Sequence, residues 1–131
     1  MLSQFDSERD SISVADCRQP KMPLVYVNAG FERFCGYRRE QVLGQNCRFL
    51  QGPNTSPASI EIMRDAIRKG TDCLVEIVNY HRDGRPFLNR LSLRPVLTRH
   101  GTPAFYIGLQ SEVSHLRQIE DKLIEHLHQF C

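Results

Sequence analysis

No stretch of this chain is apolar for long enough to cross a membrane, and Met1-Leu2-Ser3-Gln4-Phe5-Asp6 lacks the hydrophobic run of a signal peptide. A basic stripe is missing as well. The net charge is only +2, from 17 Lys and Arg against 15 Asp and Glu, and Arg38-Arg39 is an isolated pair that reads as a solvated helix start. No membrane or nucleic-acid partner is therefore expected. The five cysteines contain no C-x-x-C pair, and their number is odd. That argues against a disulfide framework and a structural zinc site, and for free thiols in the cytoplasm. No nicotinamide fingerprint and no second acid–base pair is found, so the chain does not read as an enzyme.

What the chain does have is enough apolar material for one core. The 131 residues are 40% hydrophobic and 24% charged, which fits a single domain. The most informative stretch is Gly44-Gln45-Asn46-Cys47-Arg48-Phe49-Leu50-Gln51-Gly52. It sets one thiol between an amide and a guanidinium, then adds a second amide and a closing glycine. Arg48 can grip a phosphate with a planar fork. Asn46 and Gln51 each carry donors and acceptors. Cys47 is the strong nucleophile of the segment. The combination suggests a pocket that holds a phosphate-bearing heteroaromatic ligand against a thiol.

The pattern predicts an α+β fold. Residues 1–10 read as an N-terminal cap, 11–111 as the core, and 112–131 as a C-terminal helix. Strands are predicted at Ser11 to Ala15 and Leu24 to Val27. Asn28 then caps a helix through Phe31, Phe34 and Cys35 that stops at Gly36. Short helices follow at Arg39 to Leu43 and around Cys47. A longer one is capped by Ser56 or Asn54, carries Ile60, Met63, Ala66 and Ile67 on its apolar stripe, and ends at Gly70. Three sequential strands come next: Cys73 to Tyr80, Pro86 to Val96 and Ala104 to Ser111. Short turns at Arg82-Asp83-Gly84 and His100-Gly101 make the sheet antiparallel, with helices on one face.

Strand parity adds the useful detail, because side chains alternate between faces. Asn79 falls with Val75 and Ile77, Asn89 with Phe87, Leu91 and Leu93, and Gln110 with Gly108 and Tyr106. Three amides thus stand among apolar residues, where each is costly unless paired. A ligand with donors and acceptors along its edge would pair them, and Gly108 would let a flat ligand approach. The opposite face is apolar too, through Ile12, Val14, Leu74, Val78, Leu88, Ile107 and Leu109. The terminal helix has its own stripe at Val113, Leu116, Ile119, Leu123, Ile124, Leu127 and Phe130. A homodimer through the outer sheet face and the terminal helices is the expectation. His115, His126, His128 and Cys131 do not form a metal site on this reading, since His126 and His128 lie on different helix faces.

The segment Gly44 to Gly52, followed by Pro53-Asn54-Thr55, closely resembles the signature of LOV domains, the flavin-binding photosensory branch of the PAS superfamily. The likeness extends over about residues 11–111. It includes Tyr26-Val27-Asn28, Gly36-Tyr37, Arg64-Asp65-Ala66-Ile67, Asn79-Tyr80, Phe87-Leu88-Asn89 and Tyr106-Ile107-Gly108-Leu109-Gln110. With no output domain in these residues, the chain looks like the short LOV proteins of bacteria. The resemblance implies a PAS fold of five antiparallel strands with helices over the flavin-binding face, and flavin mononucleotide (FMN) as cofactor. It makes Cys47 the photoactive thiol that forms a reversible adduct at the flavin C4a carbon, and Gln110 the switch near N5 and O4. Arg48 and Arg64 would bind the phosphate, Asn46 and Gln51 the ribityl chain, and Asn79 and Asn89 the pyrimidine edge. Ser13, Ala15, Leu50, Ile60, Met63, Ile67, Leu91, Leu93, Tyr106 and Gly108 would line the ring. The implied function is a blue-light photoreceptor that signals through the last strand to the terminal helix. The alternative is a PAS module sensing redox state through flavin without adduct chemistry.

Four positions depart from the family pattern. Ser13 and Ala15 are smaller than is common, Leu88 replaces a frequent tryptophan, and Tyr106 often appears as phenylalanine. A buried Tyr106 hydroxyl needs a partner. Cys17, Cys35, Cys73 and Cys131 read as incidental thiols.

Overall fold

The computed structural model describes residues 2–130, with the backbone alone for 114–119. The expectations for the side chains of His115, Leu116 and Ile119, and for Cys131, lie outside the described residues. Five strands form one antiparallel sheet: β1 (Ser11–Asp16), β2 (Leu24–Val27), β3 (Cys73–Tyr80), β4 (Pro86–Leu97) and β5 (Pro103–Glu112). Their order across the sheet is β2-β1-β5-β4-β3. The helices are α1 (Ala29–Cys35), α2 (Arg39–Val42), α3 (Pro57–Lys69) and α4 (Val113–His128), with 3₁₀ turns at Ser3–Phe5 and Cys47–Leu50.

The helix ends follow local chemistry. Asn28 caps α1 through its side-chain oxygen, Gly36 closes it at φ +83°, and Ser56 with Pro57 starts α3. Asn28 also fastens the start of the chain. Its Oδ1 accepts from the backbone N–H of Ile12 and of Phe31, both at 2.9 Å, and its Nδ2 donates to the carbonyls of Phe5 (3.2 Å) and Asp10 (2.8 Å). Asp6 accepts from the Tyr26 hydroxyl at 2.7 Å and from Arg39 at 3.2 Å. The N-terminal segment is thereby tied to the core rather than hanging free.

Several ends differ by one residue from the sequence reading: β1 runs on to Asp16, α2 stops at Val42, β4 reaches Leu97, and β5 spans Pro103–Glu112. Glu112, expected as the first helical residue, still pairs with Asn89 in the β4–β5 ladder, and α4 begins one residue later. A carboxylate before an apolar stripe looks like a helix start, but the ladder captures its backbone first. The buried face of the sheet carries the predicted parity, with Val75, Ile77, Asn79, Phe87, Asn89, Tyr106 and Gln110 all buried. The outer face carries Leu74 (71% exposed) and Leu109 (44% exposed). Helix α4 meets that face through Arg90 of β4, whose guanidinium lies 3.7 Å from both Glu76 and Glu120. Beyond it Leu123, Ile124, Leu127 and Phe130 are exposed.

The core divides into two clusters. One gathers Ala15, Leu24, Val27, Phe31, Cys35, Val42 and Leu50; the other gathers Ala66, Cys73 and Val75 with Met63, Leu91 and Leu93 against them. Tyr106 is 2% exposed, and its hydroxyl lies 3.1 Å from the carbonyls of both Ala66 and Thr71. The hydroxyl therefore has the partner that its burial demands. Tyr106→Phe is expected to cost about 1 kcal/mol, the worth of one such bond. Urea denaturation of the two proteins would measure it.

Candidate functional site

Members of both core clusters line one cavity of about 500 Å³, bounded on one side by the inner face of the sheet. This is a size suited to a small-molecule ligand. The Cys47–Leu50 turn enters it because its neighbours are pinned. Leu24 N–H donates to Gln45 O at 2.8 Å, and Gly44 N–H to Leu24 O at 2.9 Å. Asn46 caps the turn by accepting from Arg48 N–H at 2.9 Å, while its Nδ2 donates to Lys21 O at 2.7 Å. Leu50 is buried in the first cluster. Past the turn, Gly52 packs under the Tyr80 ring, where an added Cβ would lie 2.3 Å from a ring carbon. Thr55 then ties the loop to β3 by donating to Val78 O at 2.6 Å.

All the residues singled out in the sequence line this cavity. Cys47, Arg48 and Leu50 come from the turn, with Asn46 and Gln51 flanking it. Helix α3 adds Ile60, Met63, Arg64 and Ile67, whose three- and four-residue spacing is one helix face. The sheet adds Ser13 and Ala15 from β1, Asn79 from β3, Asn89, Leu91 and Leu93 from β4, and Tyr106, Gly108 and Gln110 from β5. The register orders the amides. Gln110 faces Leu91 across the ladder, Asn89 faces Ile77, and Asn79 faces Phe87, so the three step along one edge of the floor.

The amides are buried but only partly occupied. Asn89 Nδ2 donates to Asn79 Oδ1 at 2.9 Å, and Asn89 Oδ1 accepts from Ser111 N–H at 3.3 Å. Asn79 Nδ2 reaches the carbonyl of its own neighbour Val78 at 3.3 Å, which leaves a hydrogen for another acceptor. Asn46, by contrast, spends most of its amide on the turn it holds, so its first role is structural. Cys47 is exposed, yet what it faces is cavity wall. Burial pushes its thiol up to about 12, with the nearby Cys35 adding a smaller upward push. At neutral pH the group is a thiol, not a thiolate.

A family model described as a PAS domain matches residues 10–115. The LOV domain of the Erythrobacter litoralis EL346 blue-light-activated histidine kinase is 39% identical, with a TM-score of 0.76 over 79% of this chain and 94% of that one. The chain is a LOV domain of the PAS family. An RNA-binding light-oxygen-voltage receptor superposes with a TM-score of 0.84 at 38% identity, covering 98% of this chain and 36% of that receptor. A blue-light-activated histidine kinase of Rhizobium johnstonii is 41% identical over 116 residues, which are 88% of this chain and 34% of the kinase. This LOV domain thus spans about a third of the length of that kinase.

The LOV cavity also takes in residues that the sequence reading passed over. Cys17, Gln19, Lys21 and Met22 line it from the β1–β2 connection, and Arg68 from α3. Two of them carried a signal. Cys17 continues the odd-numbered parity of Ser11, Ser13 and Ala15, and Arg68 lies four residues beyond Arg64 on the same helix face. Lys21 and Met22 carried none, because their left-handed backbone (φ +67° and +50°) belongs to a turn without a period. No cluster of three or more metal-ligating side chains occurs among the described residues. No described helix is long and apolar enough to cross a membrane.

Proposed function

We propose that this LOV domain is a blue-light photoreceptor that binds FMN in the cavity and responds through Cys47. The observation that carries the reading is the cavity itself. It sets a protonated thiol, three part-satisfied amides and the guanidinium-bearing side chains Arg48 and Arg64 around one apolar space. That set fits a flat heteroaromatic ring with a polar edge and a phosphate tail. Arg48 and Arg64 would hold the phosphate. Gln51 would meet the ribityl hydroxyls together with what remains of Asn46. Asn79 and Asn89 would pair with the pyrimidine edge, and Leu50, Ile60, Met63, Ile67, Leu91 and Leu93 would sandwich the ring.

When bound, the flavin supplies an absorber of blue light whose excited ring becomes electrophilic at C4a. Cys47 would be the residue that presents its sulfur and its proton to the ring. Because light supplies the drive, a thiol raised by burial is no obstacle. The chain works as a sensor and not as an enzyme, and its partner is a second copy of itself through the outer sheet face and α4.

Gln110 is the group that reads the change. Its amide has one donating and one accepting end, so rotation exchanges the two. It lies on β5, which runs directly into α4. Gln110→Leu is expected to keep the light-induced bleaching and to weaken the response of α4 by circular dichroism or scattering; an undiminished response would defeat the relay. The cofactor itself is tested by acid extraction of the purified protein and chromatography of the released flavin. FMN in near-equal molar amount is expected, and a colourless extract would sink the reading.

A further inference from the structure

The amide of Gln110 is held from behind by two buried hydroxyls of β1. Ser11 Oγ donates to Gln110 Oε1 at 2.5 Å, and Gln110 Nε2 donates to Ser13 Oγ at 2.8 Å. Ser11, Ser13 and Gln110 are 4%, 3% and 7% exposed, so no solvent can substitute for either bond. The ladder fixes the arrangement, pairing Ser11 with Gln110 and Ser13 with Gly108. Gly108 provides the space. A Cβ there would lie 2.5 Å from Ser13 Oγ and 2.8 Å from Gln110 Nε2. The two hydroxyls are not equivalent, since Ser13 lines the cavity and Ser11 does not.

We infer that Ser11 and Ser13 form a reversible bracket that lets the Gln110 amide invert without losing a hydrogen bond to β1, and that Ser11 sets how long the inverted state lasts. The inference rests on the photoreceptor reading. A hydroxyl both donates and accepts. In the observed orientation Ser11 donates to the amide oxygen and Ser13 accepts from the amide nitrogen. After inversion Ser13 donates to the oxygen and Ser11 accepts from the nitrogen. Each O–H turns and no bond is forfeited. An apolar residue at either position would leave one end of a buried amide unpaired in at least one orientation. An orphaned buried N–H is tolerated less well than a carbonyl with a spare lone pair. Without the Ser11 hydroxyl, the inverted orientation would point N–H at nothing, and the observed one only Oε1. Ser11 is therefore a positioning residue that favours persistence of the light-induced state.

The test uses the purified flavin-bound protein. Dark recovery after a blue flash is timed, and the Gln110 side-chain amide is followed by isotope-labelled NMR in darkness and under illumination. Ser11→Ala is expected to recover about tenfold faster, the effect of one unpaired buried amide group. Ser11→Thr, which restores the hydroxyl, is expected to recover within about twofold of wild type on the same grounds. In the wild-type protein, light is expected to move the Gln110 amide resonances while one Nε2 hydrogen stays protected from exchange in both states. Recovery of Ser11→Ala at the wild-type rate overturns the bracket. So does loss of that protection under light in the wild type, a measurement that stands even if Ser11→Ala does not fold. A wild type that fails to bleach at all overturns the photoreceptor reading instead, so the two failures are told apart.

Discussion

Cys47→Ala is expected to abolish light-induced bleaching of the bound flavin completely while leaving the dark absorption spectrum in place. The side chain carries the sulfur that the proposed chemistry consumes, and no neighbour replaces it. Cys35 is buried in the core, where burial also raises its thiol. Cys17 lines the cavity from the β1–β2 connection, and burial raises its thiol too. The turn around Cys47 does not depend on its side chain. Asn46 caps it, Leu50 anchors it and Gly52 seats it under Tyr80. Folding and flavin content should therefore survive. Since the thiol is held protonated to about 12, the bleaching yield of the wild type should also stay flat across neutral and mildly alkaline pH. A reaction that required thiolate would instead rise steeply with pH. Absorption spectroscopy of both proteins over a pH series tests both statements.

Asn28→Ala is expected to destabilise the fold by roughly 3–5 kcal/mol, a large fraction of the stability of an ordinary domain. Asn28 is fully buried and serves four backbone groups: the N–H of Ile12 and Phe31, and the carbonyls of Phe5 and Asp10. Removing it takes the buried cap from the Phe31 N–H and one partner each from the part-buried Ile12 N–H and the carbonyls of Asp10 and Phe5, of which the last keeps the N–H of Glu8. Gly30 allows no compensating shift, because its Cα already sits against the Asp10 carbonyl so closely that a Cβ would lie 2.3 Å from the oxygen. The loss also reaches the site. Ile12 lies between Ser11 and Ser13 on β1, so a loosened β1 would release the hydroxyls that hold Gln110. Asn54→Ala, at an exposed asparagine, should stay within about 0.5 kcal/mol of wild type. Urea denaturation of the three proteins would measure the contrast.

Much of this architecture was legible before any coordinates. The β3 bounds, the α1 cap at Asn28 and the start of α3 at Pro57 follow from residues whose local chemistry admits few alternatives. The inner face of the sheet followed from parity, because a period of two survives any small error in strand ends. The apolar lining from α3 followed from the helical period for the same reason. What sequence could not deliver was anything set by cross-strand register. Ser13 was expected to line the ring and Ser11 only to begin β1, and neither was tied to Gln110. Only the pairing of Ser11 with Gln110 and of Ser13 with Gly108 turns them into a bracket. Gly108 changes meaning in the same way. Read alone it admits a flat ligand, and within the register it also admits the Ser13–Gln110 bond. Lys21 and Gln19 reach the cavity from an aperiodic turn, so no pattern could have pointed to them.

The apolar outer face is a second case. Leu74 and Leu109 are exposed beside an α4 whose Leu123, Ile124, Leu127 and Phe130 are exposed as well. A sheet with one wet face would be polar there. Arg90 joins the face to Glu120 of α4 through an ion pair of surface character, a link of small energy that a modest change in β5 could break. The change proposed at Gln110 would meet α4 at this contact.

The absorption spectrum of the purified wild-type protein, followed through darkness, blue light and darkness again, bears on the central claim most directly. A structured flavin band that fades under blue light and returns with a single time course is the predicted result. A protein without flavin, or one whose flavin band stays unchanged under the same illumination, would contradict it.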